Sequence, residues 1–237
     1  MNISRPILDD ASLTDMQEFE LVDIISNQAI RFGFEYYSFV LRIPQSLTRP
    51  KIQGFDNYSE NWRRYYASNE CILTDPAIQM AMRSSKPVVW TEKLYQQNKI
   101  LWQEIRRDGH SIGITQSCWG PQSIAGFLSF SRASGVISKA ELKELEPEMR
   151  QLSLSLFMQV YDLHHLDETY NMEDQIITLR EREILRWTGD GKTAEDISII
   201  LNITPRTVHF HMNNVLNKLI VSNKVHAVMK AHLIGLL

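Results

Sequence analysis

The residues best suited to chemistry in this 237-residue chain lie in NYSENWRRYYASNECILTDP, residues 57–76. Tyr58, Trp62, Tyr65 and Tyr66 recur at i, i+4, i+7 and i+8, so a helix would carry them on one stripe. A stripe that only faces a core is usually built from Leu, Ile and Val, which bring no polar atom in need of a partner. Here hydroxyl and indole donors stand in the wall, and Asp75 follows with an acceptor. A few convergent polar groups in an otherwise apolar concavity is the form of a small-molecule site. Plainer readings exist for the same residues. Asp75-Pro76 makes a good N-cap with Pro at the first helical position, and Trp90 and Trp102 suit an ordinary core. Cys71 and Cys118 fit no metal or disulfide spacing and read as reduced, packed as small apolar groups. Neither Cys118 nor His110 sits in a nucleophile motif.

The elements that would position these residues follow from periodicity. A helical pattern runs from about Leu13 to Phe32 and stops at Gly33. FEYYSFVLRI alternates with period two. Tyr37, Phe39, Leu41 and Ile43 share an apolar face, while Tyr36, Ser38, Val40 and Arg42 share a mixed one that points to water or into a cavity. Further strands are predicted at 86–90, 112–119 and 124–132, with helices at 75–83 and 98–108. SKAE at 138–141 reads as a capping box. Pro147 is expected to break or restart the helix that follows, which then runs to about His165. Interleaved helices and strands predict an α/β/α sandwich around a mostly antiparallel sheet. The polar stretch LDETYNMEDQ, residues 166–175, reads as a linker. Beyond it the pattern is wholly helical, so the class is α+β with a C-terminal all-α domain. No run is apolar enough to span a bilayer. The N-terminus lacks signal-peptide character, which places the chain in the cytoplasm.

The net charge of −3 argues against a nucleic-acid binder, but the average hides an asymmetry. From Gln175 onward Lys and Arg outnumber Asp and Glu, on an otherwise acidic body. That segment, ITLREREILRWTGDGKTAEDISIILNITPRTVHFHMNNVLNKL, reads as three short helices. Thr178 and Glu181 cap the first, whose apolar positions include Ile184, Leu185 and Trp187. Thr193 caps the second, carrying Ile197, Ile200 and Leu201. Thr204 caps the third, with Pro205 at N1. Two short helices across a tight turn match a helix-turn-helix. In the third helix Val208, Met212, Val215 and Leu219 form a core stripe. Arg206, His209, Asn213 and Asn217 form a polar one, with Thr207 in the first turn. Asn can pair with adenine and Arg with guanine in a major groove, whereas the plainer reading is a solvated helix face. Lys192 and Thr193 could hold a phosphate at a helix N-terminus. His209 and His211 diverge on a helix and make no metal site.

This segment resembles the LuxR-type helix-turn-helix, with the family's Glu, Leu and Gly positions at Glu181, Leu185 and Gly191. The N-terminal half resembles the autoinducer-binding domain of the acyl-homoserine-lactone subgroup through FGFEYYSFVLR, TRPK, NYSENWRRYY, DPAI, VVW, LWQEIRRDG and FLSFSR. The resemblance implies an autoinducer-binding domain at 1–167, a linker at 168–175 and a DNA-binding domain at 176–237. It implies that Trp62 faces the lactone, that Asp75 accepts the amide N–H and that Tyr58 bonds the amide carbonyl. Tyr66, Trp90 and Trp102 fall on aromatic pocket positions, Ser129 on a polar one, and Ser38 and Arg42 on the mixed strand face. Gly113 fills the family's Gly position. The implied function is a quorum-sensing transcription factor with no cofactor. It binds an N-acyl-homoserine lactone, dimerises, occupies a pseudo-palindromic operator and acts on RNA polymerase. Two other classes are a ligand-independent regulator working through a protein partner, and a lactone-processing enzyme, whose H-x-H-x-D-H metal cluster is absent from the sequence.

Overall fold

A computed structural model of the chain describes residues 15–44, 50–163 and 177–237. They form two compact units, one built mainly from the elements up to Leu163 and the other from those after Thr178. The expected linker and both boundaries beside it fall outside the described residues.

The larger unit opens with α1 (Asp15–Arg31) and β1 (Tyr36–Ile43), followed by β2 (Lys51–Asp56), α2 (Glu60–Ser68), α3 (Pro76–Ala81) and β3 (Val88–Val89). Then come α4 (Lys99–Arg107), β4 (Ile112–Trp119), β5 (Ala125–Arg132) and α5 (Lys139–Leu163). The five strands lie in the order β2-β1-β5-β4-β3, every neighbouring pair antiparallel. Successive side chains leave a strand on opposite faces. One face carries Tyr37, Phe39, Leu41, Leu128, Phe130 and Ile114, all buried. Leu21, Ile25 and Ala29 of α1 and Met149, Leu156 and Phe157 of α5 join them in the core. The other face, with Ser38, Ser129 and Thr115 in register across β1, β5 and β4, is buried as well. The mixed face of β1 therefore points into the protein.

Two sequence expectations need correction. β2 is a strand that the Lys-Ile-Gln-Gly sequence does not announce, because a short edge strand needs little apolar periodicity. Pro147 lies inside an unbroken α5. It is exposed, as is Lys143, whose carbonyl loses its partner, so that carbonyl can turn to water. Leu145 and Met149 on either side are buried and hold the helix to the sheet across the proline. The capping box at its start forms: Glu141 N–H donates to Ser138 Oγ at 3.1 Å. Arg132 of β5 then clamps the Glu141 carboxylate at 2.7 and 3.1 Å.

The smaller unit contains α6 (Leu179–Gly189), α7 (Ala194–Ile200), α8 (Pro205–Lys218) and α9 (Lys224–Leu233). Thr178, Thr193 and Thr204 cap α6, α7 and α8 as expected. Val208, Val215 and Leu219 of α8 are buried, whereas Ile200 of α7 is exposed rather than in the core. Glu181 ties the start of α6 to the end of α8. Its carboxylate accepts from Thr178 N–H at 2.8 Å and from Lys218 Nζ at 2.7 Å. Burial pushes this carboxyl up, but the bonds from Lys218 and Thr178 outweigh it and hold the group below its ordinary value. Glu181→Ala is expected to cost this unit about 1–3 kcal/mol, because a cap and a part-buried ion pair go together. Urea denaturation followed in the helical signal would show it, and an unchanged midpoint would mean that Glu181 does not seat α6 against α8.

Candidate ligand-binding site and DNA interface

The aromatic wall is assembled by three short segments. Ser59 caps α2 by accepting from Trp62 N–H at 3.1 Å, so Tyr58 lies just before the helix instead of on its stripe. Asp56 fixes Tyr58 from the other side. It accepts from Tyr58 N–H at 2.9 Å and from Arg63 Nε at 2.7 Å. Tyr58 and Trp62 are then buried with Cys71, Ala77, Tyr95, Leu101 and Ile105, and Tyr65, Tyr66, Trp90 and Trp102 pack against that cluster. Of the expected pocket residues, Tyr58, Trp62, Tyr66, Trp90 and Trp102 thus come together.

Asp75 is 6% exposed and serves two roles at once. As the N-cap of α3, its Oδ1 accepts from Ala77 N–H at 2.8 Å. The same oxygen accepts from the Tyr95 hydroxyl at 2.9 Å, and Oδ2 accepts from the Tyr66 hydroxyl at 2.9 Å. Burial pushes its carboxyl above the ordinary value, against the pull of the hydrogen bonds from Ala77, Tyr95 and Tyr66. Both tyrosine hydroxyls are raised in turn, by burial first and then by the nearby carboxylate.

The sheet supplies the opposite side. Trp90 Nε1 donates to Thr115 Oγ1 at 2.9 Å, and Thr115 Oγ1 shares a hydrogen with Ser129 Oγ at 2.9 Å. Gly113 has a steric reason to be glycine, since a Cβ there would overlap the Trp90 ring. Ser38 pairs in register with both Ser129 and Asp56. Arg42 lies further along β1, half-buried, with its pKa lowered by burial. Two buried donors in the cluster have no hydrogen-bond partner among the described residues, the Tyr58 hydroxyl and Trp102 Nε1. The Tyr58 hydroxyl faces Ser131 Oγ, but neither completes a bond of good geometry. Buried polar groups are nearly always paired, so these open donors mark where a bound molecule would add acceptors.

Tyr95, Thr115 and His110 were not expected. Thr115 was legible, because period two in IGITQSCW puts Gly113, Thr115 and Ser117 on one face. Tyr95 sits in a segment without periodicity and gave no signal. His110 is fully buried between Tyr58 and Trp62, with ring centroids 4.7 and 4.6 Å away. Neither ring nitrogen is hydrogen-bonded, and Nδ1 lies 3.4 Å from Asp108 Oδ2. Asp108 also accepts from Ser59 Oγ at 2.7 Å, an order of Ser, Asp and His in which the base cannot reach the hydroxyl.

In the smaller unit Arg206, His209, Asn213 and Asn217 are exposed along α8, and Lys192 is exposed ahead of α7. Thr207 is half-buried, its hydroxyl paired with Thr204 at 2.9 Å. Thr193 is less free than its position suggests, since its N–H and its hydroxyl both donate to Asp196 Oδ2, at 3.0 and 2.9 Å.

A buried aromatic cluster with open donors on one unit and a helix-turn-helix on the other are the parts of a ligand-sensing DNA-binding regulator. Comparison with known proteins gives the family. The Autoinducer binding domain family matches residues 17–160, and the luxR family of bacterial regulatory proteins matches residues 175–231. The transcriptional activator protein SolR of Ralstonia nicotianae is 34% identical over 94% of this chain and 94% of its own. RhlR of Pseudomonas aeruginosa, an HTH-type quorum-sensing regulator, is 34% identical over 90% of this chain and 88% of its own. The structure of SdiA in complex with octanoyl-rac-glycerol superposes with a TM-score of 0.69 at 34% identity, over 92% of this chain and 89% of that one; SdiA is a regulatory protein of Escherichia coli. The chain belongs to the LuxR family of quorum-sensing transcriptional regulators and is a regulator rather than an enzyme.

The burial of His110 is expected to make the larger unit less stable in acid. Burial lowers its pKa from 6.5 to about 4, with Asp108 pulling weakly the other way. Above pH 6.5 the imidazole is neutral whether folded or not and contributes no slope. Between there and about 4 the unfolded chain binds a proton that the folded one does not, so stability falls as pH falls. The expected loss is on the order of 2–3 kcal/mol across that window, absent in His110→Leu. Denaturation midpoints of both proteins from pH 7 to 4 would test this, and parallel curves would contradict it.

Proposed function

We propose that the pocket takes an N-acyl-homoserine lactone and that its binding drives the chain onto DNA. The observation that carries this reading is Asp75, a buried acceptor at the centre of a wall of rings. Its Oδ2 accepts one hydrogen bond among the described residues and has capacity for a second, from the ligand amide N–H. The Tyr58 hydroxyl, which lacks a partner, would donate to the amide carbonyl, and the Trp62 indole to the lactone carbonyl. Ser129 and Ser38 offer hydroxyls from the sheet, and Arg42 lies toward the end of the same face. Tyr66, Trp90 and Trp102 would bury the acyl chain, at about 25 cal/mol per Å² of apolar surface.

A signal that binds only the folded larger unit stabilises it by mass action. The protein then acts in the cytoplasm as a homodimer and sets two α8 helices about one DNA turn apart on a pseudo-palindromic operator, where it contacts RNA polymerase. Arg206, His209, Asn213 and Asn217 would read base edges. Lys192, Thr193 and Thr207 would meet the phosphate backbone, with the Thr193 donors first having to leave Asp196.

Thermal melting across a panel of acyl-homoserine lactones tests the reading, with octanoyl-rac-glycerol beside them. A rise in melting temperature that depends on acyl length is expected, and Asp75→Asn should abolish it. The glycerol ester is included because SdiA binds it and because a glycerol hydroxyl can donate to Asp75 as Tyr66 and Tyr95 do. A larger rise with that ester would move the reading to acylglycerols. A flat response from folded protein would favour the ligand-independent regulator.

A further inference from the structure

Phe210 is 60% exposed, and its place on α8 makes that informative. At about 3.6 residues per turn it falls on the same stripe as Arg206 (four before), Asn213 (three after) and Asn217 (seven after). All three are exposed hydrogen-bonding side chains. The stripe that seats the helix is elsewhere, at Val208, Val215 and Leu219, and is already buried. Its ring contact among the described residues is an edge contact with His211, centroids 5.5 Å apart. A large apolar ring left mostly in water in the middle of a polar face gains little within the chain, whereas the surrounding face is complementary to a major groove. In that groove the base edges offer hydrogen-bond donors and acceptors and one apolar group, the 5-methyl of thymine.

We propose that Phe210 is a base-reading residue that packs on a thymine methyl in each half-site, beside the bases met by Arg206 and Asn213. An A·T pair suits both neighbours, because adenine pairs with Asn while its thymine presents the methyl to Phe. The inference rests on the DNA-reading face proposed above and adds to it a specificity that no hydrogen bond supplies.

The test begins with duplexes selected from a randomised pool by the full chain, held with the lactone that raises its melting temperature most. Each thymine of the selected half-site is then replaced in turn by uracil, which deletes only the methyl. The wild type is expected to lose about three- to fivefold in affinity at one position per half-site. Phe210→Ala should be weaker on the thymine duplex and indifferent to uracil at that position, with an unchanged melt, as its exposure implies. A wild type indifferent to uracil everywhere would overturn the proposal, and so would a variant as sensitive as the wild type. Loss of self-association in the variant, with uracil sensitivity intact, would also overturn it and assign the ring to a protein contact. If the wild type enriches no sequence, the DNA-reading face itself fails, a result distinct from these.

Discussion

The larger unit depends on one constraint, the burial of the Asp75 carboxylate. An ionised carboxylate offers only acceptors, so removing it from water is tolerable only when donors converge on it. Those donors come from three places that are far apart in conformation. Tyr66 reaches it from α2, Ala77 N–H from the first turn of α3, and Tyr95 from the segment between β3 and α4. One side chain therefore ties together the elements that make the aromatic wall. The arrangement is not relaxed, because burial still holds the carboxyl above its ordinary value. A ligand N–H arriving at Oδ2 would relieve part of that cost and tighten all three segments together, which links ligand affinity to the folding of the wall.

The sheet answers that wall with a rigid, hydrogen-bonded face. Trp90 is held by its bond to Thr115 and by the absence of a side chain at Gly113, and Thr115 is held by Ser129. These residues keep their register because the opposite face of the same strands is pinned by α1 and α5. A one-residue slip would exchange the polar row for Phe130, Leu128 and Ile114. The smaller unit uses the same device on a smaller scale. Glu181, buried and acceptor-only, gathers Thr178 at the start of α6 and Lys218 at the end of α8, and so sets the pose of the helix that faces outward.

Local chemistry was legible in the sequence and long-range complementarity was not. The caps at Thr178, Thr193, Thr204 and Ser138 could be read because a cap is decided by residues three apart. The limits of β4 and the buried stripe of α8 followed from their periods. Pro147 misled because its cost is local, while the contacts of Leu145 and Met149 that override it are not. β2 was missed for want of periodicity, although its partner β1 was evident. In the site, Tyr58, Trp62, Tyr66 and Asp75 could be gathered from one stretch. Tyr95, which supplies the second hydroxyl to Asp75, and His110, which fills the space between Tyr58 and Trp62, arrive from segments whose own sequence says nothing of where they fold. For Asp75 the sequence offered two competing readings, a helix cap or the acceptor of a ligand amide, and gave no sign of the Tyr66 and Tyr95 hydroxyls that it accepts from.

The most direct measurement of this account changes one atom of the ligand. Replacing the amide N–H of an acyl-homoserine lactone by an ester oxygen keeps the lactone, both carbonyls and the tail, but presents a lone pair to Asp75 in place of a donor. Calorimetric titration of the full chain with the amide and with its ester is expected to show at least about a tenfold weaker Kd for the ester, the scale of a hydrogen bond to a charged group. Equal affinities would contradict the account, because the ligand would then be held without Asp75, and the buried carboxylate would serve only the wall itself, as cap of α3 and acceptor for Tyr66 and Tyr95.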